Sequence, residues 1–189
     1  MTVQALYNEL SYVDHSREKR VFYAKKVLAN PELVGNLLQI MFMVNDKVSC
    51  RAAWVLEFVC REKLEIIIPH LNHFTKNIHH VHLDPAVRPV AKICECLAEA
   101  YYKNNKNPIK QNLKSAHIDH IIEFCLDCLI NDEKVAPKAH SMTVLFLFGR
   151  DYNWIHPELI LILERDFYRQ SAAFKARARR ILKKLKKNQ

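Results

Sequence analysis

Glycine is nearly absent from this chain: among 189 residues, only Gly35 and Gly149 lack a Cβ. Tight hairpin turns and phosphate-cradling loops need glycine for positive φ and for close approach of the backbone. Two isolated glycines exclude a P-loop, a dinucleotide-binding fingerprint and most β-rich folds, and leave an all-α chain as the expectation. No apolar run reaches the roughly 18 residues that cross a bilayer, and the N-terminus has no charged-then-apolar leader pattern. These features predict a cytoplasmic protein without a membrane partner.

Disulfide spacing is lacking too. Cys50, Cys60, Cys94, Cys96, Cys125 and Cys128 fall inside helical patterns, mostly at apolar positions. A small secreted domain would space its cysteines through loops. Cys125-x-x-Cys128 lies in mid-helix among Ile121, Ile122 and Leu129, away from any helix N-terminus that would lower a thiol pKa. These thiols read as core residues in a reducing compartment.

Acidic residues are missing from one end. The formal charge is +9, from 29 Lys and Arg against 20 Asp and Glu. Eight of the cations, Lys175, Arg177, Arg179, Arg180, Lys183, Lys184, Lys186 and Lys187, sit in the final 19 residues, which hold no acid. Without them the body has 21 basic against 20 acidic residues. The charge is therefore segregated, unlike the broad basic stripe of most nucleic-acid-binding proteins.

What is present is helical periodicity almost throughout. It predicts ten helices, over about 2–13, 17–29, 31–43, 47–61, 63–77, 85–102, 116–130, 134–148, 157–168 and 171–187, with YYKNNKNPIKQN (101–112) as the one long loop. Pro31, Pro85 and Pro157 are expected at first helical positions, and Asn30 and Asp84 as N-caps. A chain of this length reads as one domain, 1–189, able to bury roughly 70% of its unfolded surface.

The helices repeat in pairs. SCRAAWVLEFV (49–59) aligns with VRPVAKICECL (87–97), placing Ala53 over Ala91, Val55 over Ile93 and Glu57 over Glu95. The second aligns with VAPKAHSMTVL (135–145), and CRAAWVLEFV aligns with ARARRILKKL (176–185). Spacing of this kind, with small-then-aliphatic second helices, resembles HEAT and armadillo-like repeats. The resemblance implies an α-α superhelix of four to five antiparallel pairs, an architecture that specifies no activity by itself. More narrowly, SREKRVFYAKKVLANPELVGNLLQIMF (16–42) and RAAWVLEFVCREKLEIIIPHL (51–71) resemble a family of short bacterial HEAT-like proteins from the Bacteroidetes. Some members of that family carry the label adenylosuccinate lyase. The lyases use a Ser-containing, Gly-rich mobile loop that no segment here matches, and Ser141-Met142-Thr143 lies inside an apolar helix. No catalytic residue follows from the label.

Four groups of residues are candidate sites. The repeat alignment puts Trp54, Lys92, His140 and Arg180 in one row, with Glu57, Glu95, Thr143 and Lys183 beside it. On a helical wheel Trp54 falls nearly opposite the buried arc of its helix, so the row is expected to line the concave second-helix face and bind a protein partner through Trp54, Glu57, Lys92, Glu95, His140 and Arg180. Trp54 packing under a neighbouring repeat is the bland alternative. His70-x-x-His73 and His117-x-x-His120 recur at nearly the repeat spacing, and stacked helices could bring four imidazoles to one transition metal. Solvated flank histidines are the default, and no metal or other cofactor is expected.

Arg150, Asp151 and Trp154 form a cluster of types found in HEAT-like DNA glycosylases of the alkylation-repair kind, against a simple turn closed by packing of Trp154. In the tail, Phe174, Ala178, Ile181, Leu182 and Leu185 gather on one arc with every cation outside it. Helix 171–187 is therefore expected to be a capping repeat helix first. Its eight cations form the alternative site, for nucleic acid.

Overall fold

The computed structural model describes residues 1–103 and 106–187. Among these the chain is all-α, with no strand. Eleven α-helices follow in order: α1 (Val3–Leu10), α2 (Arg17–Ala29), α3 (Leu33–Met41), α4 (Lys47–Glu62), α5 (Leu71–Asn77), α6 (Asp84–Lys103), α7 (Pro108–Asn112), α8 (Ser115–Ile130), α9 (Val135–Phe148), α10 (Ile155–Asp166) and α11 (Ala172–Leu185). Short 3-10 segments, Leu64–His70 and Ile78–His80, flank α5.

Their ends follow local chemistry. Asp46 Oδ1 accepts the Val48 N–H at 2.8 Å to open α4, Asn107 Oδ1 accepts Ile109 N–H at 2.8 Å to open α7, and Ser171 Oγ caps α11 through Phe174 N–H. Asn30 closes α2 instead of opening α3, and Asp84 is the first residue of α6 and not its N-cap. Helix α3 begins two residues after Pro31, and Pro157 is the third residue of α10. The helix expected over 63–77 begins as a 3-10 segment, because Pro69 lies inside it and lacks the N–H that an α-helical turn needs. The expected long loop over 101–112 is largely helical: α6 runs to Lys103 and α7 starts at Pro108, with Asn104 and Asn105 outside the described residues.

The second helices stack in sequence. Helix α2 packs on α4, α4 on α6, α6 on α9 and α9 on α11, forming an inner layer. The first helices cover it: α3 lies against α4, α8 against α9, and α10 against both α9 and α11. Positions that align in the sequence are buried alike: Val59, Leu97, Leu145 and Leu185, and Val55, Ile93 and Ile181. One apolar cluster runs from Leu6 to Leu185. The cysteines expected in the core are there: all six thiols are free and only Cys96 is partly exposed. Burial pushes the Cys128 thiol up to about 12 and Cys125 well above its ordinary value, so neither is a ready nucleophile. Among the described residues no helix is long and apolar enough to cross a membrane.

Candidate functional site: the inner-helix face

Trp54 is the first correction. Its side chain is only 8% exposed, because α4 is covered on nearly all sides and the His15 ring lies against the indole, centroids 5.0 Å apart. The wheel took α4 for a helix with one buried stripe, whereas it is buried almost all round. Trp54 Nε1 donates to the Pro85 carbonyl at 2.7 Å. In a regular helix that carbonyl would accept from residue 89, but residue 89 is proline and has no N–H. The indole replaces the missing donor, so Trp54 ties α4 to α6.

The remaining row residues converge, though on one another. Glu95 on α6 is 4% exposed, and its Oε2 accepts Lys92 Nζ at 2.6 Å and His140 Nδ1 of α9 at 2.7 Å. Burial alone would push this carboxyl up; the hydrogen bonds from His140 and Lys92 outweigh it and hold the group down at about 2. At the aligned position of α4, Glu57 is 3% exposed and takes Arg88 of α6 at 2.8 Å, with Arg61 at 3.6 Å. One repeat later, Arg177 of α11 donates to Thr143 Oγ1 of α9 at 3.3 Å. Glu57, Glu95 and Thr143 are equivalent positions. At each, the next inner helix supplies the donor, which makes a ladder of polar rungs that sets the register of the stack. The carboxylates at two rungs are thus buried structural groups rather than exposed partner contacts. Arg180 remains exposed on α11.

Between α2, α4 and α6 the same face opens into a groove of about 690 Å³ that the row did not single out. Four guanidiniums line it, Arg17, Arg20, Arg61 and Arg88, together with Phe58, and Glu57 and Glu62 are the only acids in its lining. Arg20 and Arg61 lie over the Phe58 ring, 5.2 and 5.6 Å from its centroid. Arg20 uses Nε and Nη2 on the Ser16 and His15 carbonyls, which fixes its orientation. These arginines were invisible as a group because they come from three helices spread over 72 residues of chain.

The histidine pairs do not meet. Helix α5 packs on α8, yet among the described residues no three His, Cys, Asp or Glu side chains converge as a metal site requires. His117 Nδ1 instead accepts the Lys114 N–H at 3.1 Å and closes the start of α8, His73 meets Phe42 edge-on, and His120 lies 4.0 Å from Glu123. Burial, with a smaller effect from His73, holds His70 below its ordinary pKa.

The 149–154 turn is closed differently from the expectation. Tyr102 donates to Asp151 Oδ2 at 2.7 Å and Arg150 lies over the Tyr102 and Phe146 rings, while Trp154 is 53% exposed and closes nothing. Burial, then the Asp151 hydrogen bond, raise the Tyr102 phenol. Gly149 has a packing reason: a Cβ there would overlap the imidazole of His156, which is stacked on Phe146 and bonded through Nε2 to the Phe146 carbonyl at 2.9 Å.

In α11 the apolar arc is buried as expected, with Leu182 half-buried. Four of the eight cations are engaged within the chain: Arg177 on Thr143, Arg179 over Phe167, Lys184 over Phe146, and Lys186 at 3.7 Å from Glu164. Lys175 is half-buried, and Arg180, Lys183 and Lys187 are exposed.

No protein-family model matches the chain, and neither a curated protein nor a solved structure does.

Proposed function

We propose that the chain is a non-enzymatic scaffold of HEAT/armadillo-like repeats that holds an acidic segment of a protein partner on its inner-helix, concave face. The observation that carries this reading is the α2–α4–α6 groove, where Arg17, Arg20, Arg61 and Arg88 face only two carboxylates. One of those, Glu57, is already committed to Arg88. A surface with surplus positive charge and fixed guanidiniums attracts carboxylates and speeds their encounter. Inner faces of stacked helical repeats are extended and suit a linear segment. Six free thiols fit a reducing setting, and we place the protein in the cytoplasm.

The test is a titration of the full chain with a Glu-rich peptide at low salt, repeated with Arg17→Gln/Arg61→Gln and with Arg180→Gln/Lys183→Gln. The reading expects the first pair to abolish binding and the second to leave it. The opposite pattern defeats it.

A second reading rests on the exposed cations of α11, Arg180, Lys183 and Lys187, which would hold nucleic acid by charge alone. Its sign is binding of duplex DNA or single-stranded RNA that weakens steeply with salt and is lost in Arg180→Gln/Lys183→Gln.

A further inference from the structure

The arginine groove has more donor capacity than its carboxylates use. Arg17 makes no ion pair or hydrogen bond among the described residues, and the Nη1 of Arg20 is unused in the bonds that fix its other two nitrogens. Arg61 has only the long 3.6 Å approach to Glu57, which Arg88 already holds at 2.8 Å. Arg20 and Arg61 are nonetheless drawn to the same Phe58 ring. Cation–π attraction holds both at the ring, and the nearest carboxylate, Glu57, is already taken by Arg88. The ring shields one side of these guanidiniums from water, so an anion entering from the groove would meet donors with reduced hydration.

The geometry points to a site for a phosphate monoester, which we propose is carried on a phosphorylated side chain of the docked acidic segment; this rests on the reading of the groove as a partner-binding face. A carboxylate offers two oxygens in one plane and satisfies a single guanidinium fork. A phosphate monoester offers three oxygens and close to two negative charges, enough for donors from both α2 and α4. Arg17 and Arg61 supply the direct bonds, Arg20 adds its free Nη1, and Arg88 stays with Glu57 and keeps that buried carboxylate from repelling the ligand. Glu62 is exposed at the rim.

The experiment compares two Glu-rich peptides, one with a serine and one with the same serine phosphorylated, titrated into the full chain, with adenosine monophosphate as a third probe. Binding is followed by calorimetry and by the Phe58 ring resonances. The expected result is affinity for the phosphorylated peptide at least about tenfold above that of its unmodified form, with the Phe58 ring perturbed. Arg17→Gln/Arg61→Gln should erase that preference while the unfolding midpoint moves little, since both side chains are exposed and Arg88 still holds Glu57. Adenosine monophosphate should perturb the same ring far more weakly. Equal affinity for the two peptides, with binding still dependent on Arg17 and Arg61, overturns the phosphate site and leaves the acidic-segment reading standing. Absence of binding by either peptide overturns both. A phosphate preference that survives Arg17→Gln/Arg61→Gln, or that disappears in Arg180→Gln/Lys183→Gln, places the anion elsewhere and overturns the proposal. Tighter binding of adenosine monophosphate than of the phosphopeptide overturns the peptide source.

Discussion

Trp54 supplies to α6 the hydrogen bond that Pro89 cannot: its indole N–H reaches the Pro85 carbonyl at 2.7 Å, one helical turn before the proline. Proline inside a helix removes a donor and leaves a carbonyl exposed to an apolar environment. Here a side chain from the neighbouring helix repairs the loss. Trp54→Phe is expected to cost about 1–2 kcal/mol by removing that donor, and Trp54→Ala about 3–5 kcal/mol by also opening a cavity. In a Pro89→Ala background the backbone N–H of residue 89 is restored, so the cost of Trp54→Phe should shrink. Urea unfolding of the four-member cycle measures the coupling.

Glu95 makes the second prediction. Its carboxyl is held at about 2 in the folded chain against an ordinary value of 4.5. A depressed carboxylate contributes stability that is fully present above the unfolded value and disappears as pH falls through the folded value. Stability should therefore fall between about pH 4.5 and pH 2, by about 3 kcal/mol for this group. Asp14, Asp46 and Asp166 are also held below their ordinary range, so the readout is the difference between wild type and Glu95→Gln over that window. The variant should be less stable at neutral pH and show the shallower acid limb.

Gly149 is fixed by its neighbour and not by its turn, because its φ is not positive. Gly149→Ala should force the His156 ring off Phe146 and cost about 1–3 kcal/mol, the range for overpacking a filled site. His156→Ala in the same chain should recover part of that loss. Equal destabilisation with and without His156 would contradict the packing account.

Helix α11 should be needed for folding whatever else it binds. A chain ending at residue 170 loses Phe174, Ala178, Ile181 and Leu185 from the core and uncovers the sides of α9 and α10 they pack against. It should unfold at markedly lower temperature than the full chain. Arg180→Gln/Lys183→Gln, which touches only exposed side chains, should leave the unfolding free energy within about 0.5 kcal/mol of wild type.

Most of the helices were legible because their period is strong and their apolar positions recur from repeat to repeat; the buried arc of α11 could be read from residue spacing alone. The errors share a cause. A helical wheel knows one helix and places Trp54 outside, whereas burial in α4 depends on how many neighbours surround it. Lys138 shows the same limit: it occupies a position equivalent to Ala52, Val90 and Ala178, yet it is buried and turns its Nζ to the Leu129 carbonyl at the end of α8, 3.2 Å away. The arginine groove was hidden for a related reason, since nothing in the spacing of Arg17, Arg61 and Arg88 says that three helices will present them together. Glu57 and Glu95 align in the sequence and are both buried, because alignment reveals equivalence and not exposure.

The most direct test of the central claim is where an acidic segment binds. With the full chain labelled with ¹⁵N and a Glu-rich peptide added at low salt, the account predicts that the changing backbone amides and arginine Nε signals cluster on α2, α4 and the start of α6, around Arg17, Arg20, Arg61 and Arg88. Changes confined to α11, or no saturable change at all, would contradict it.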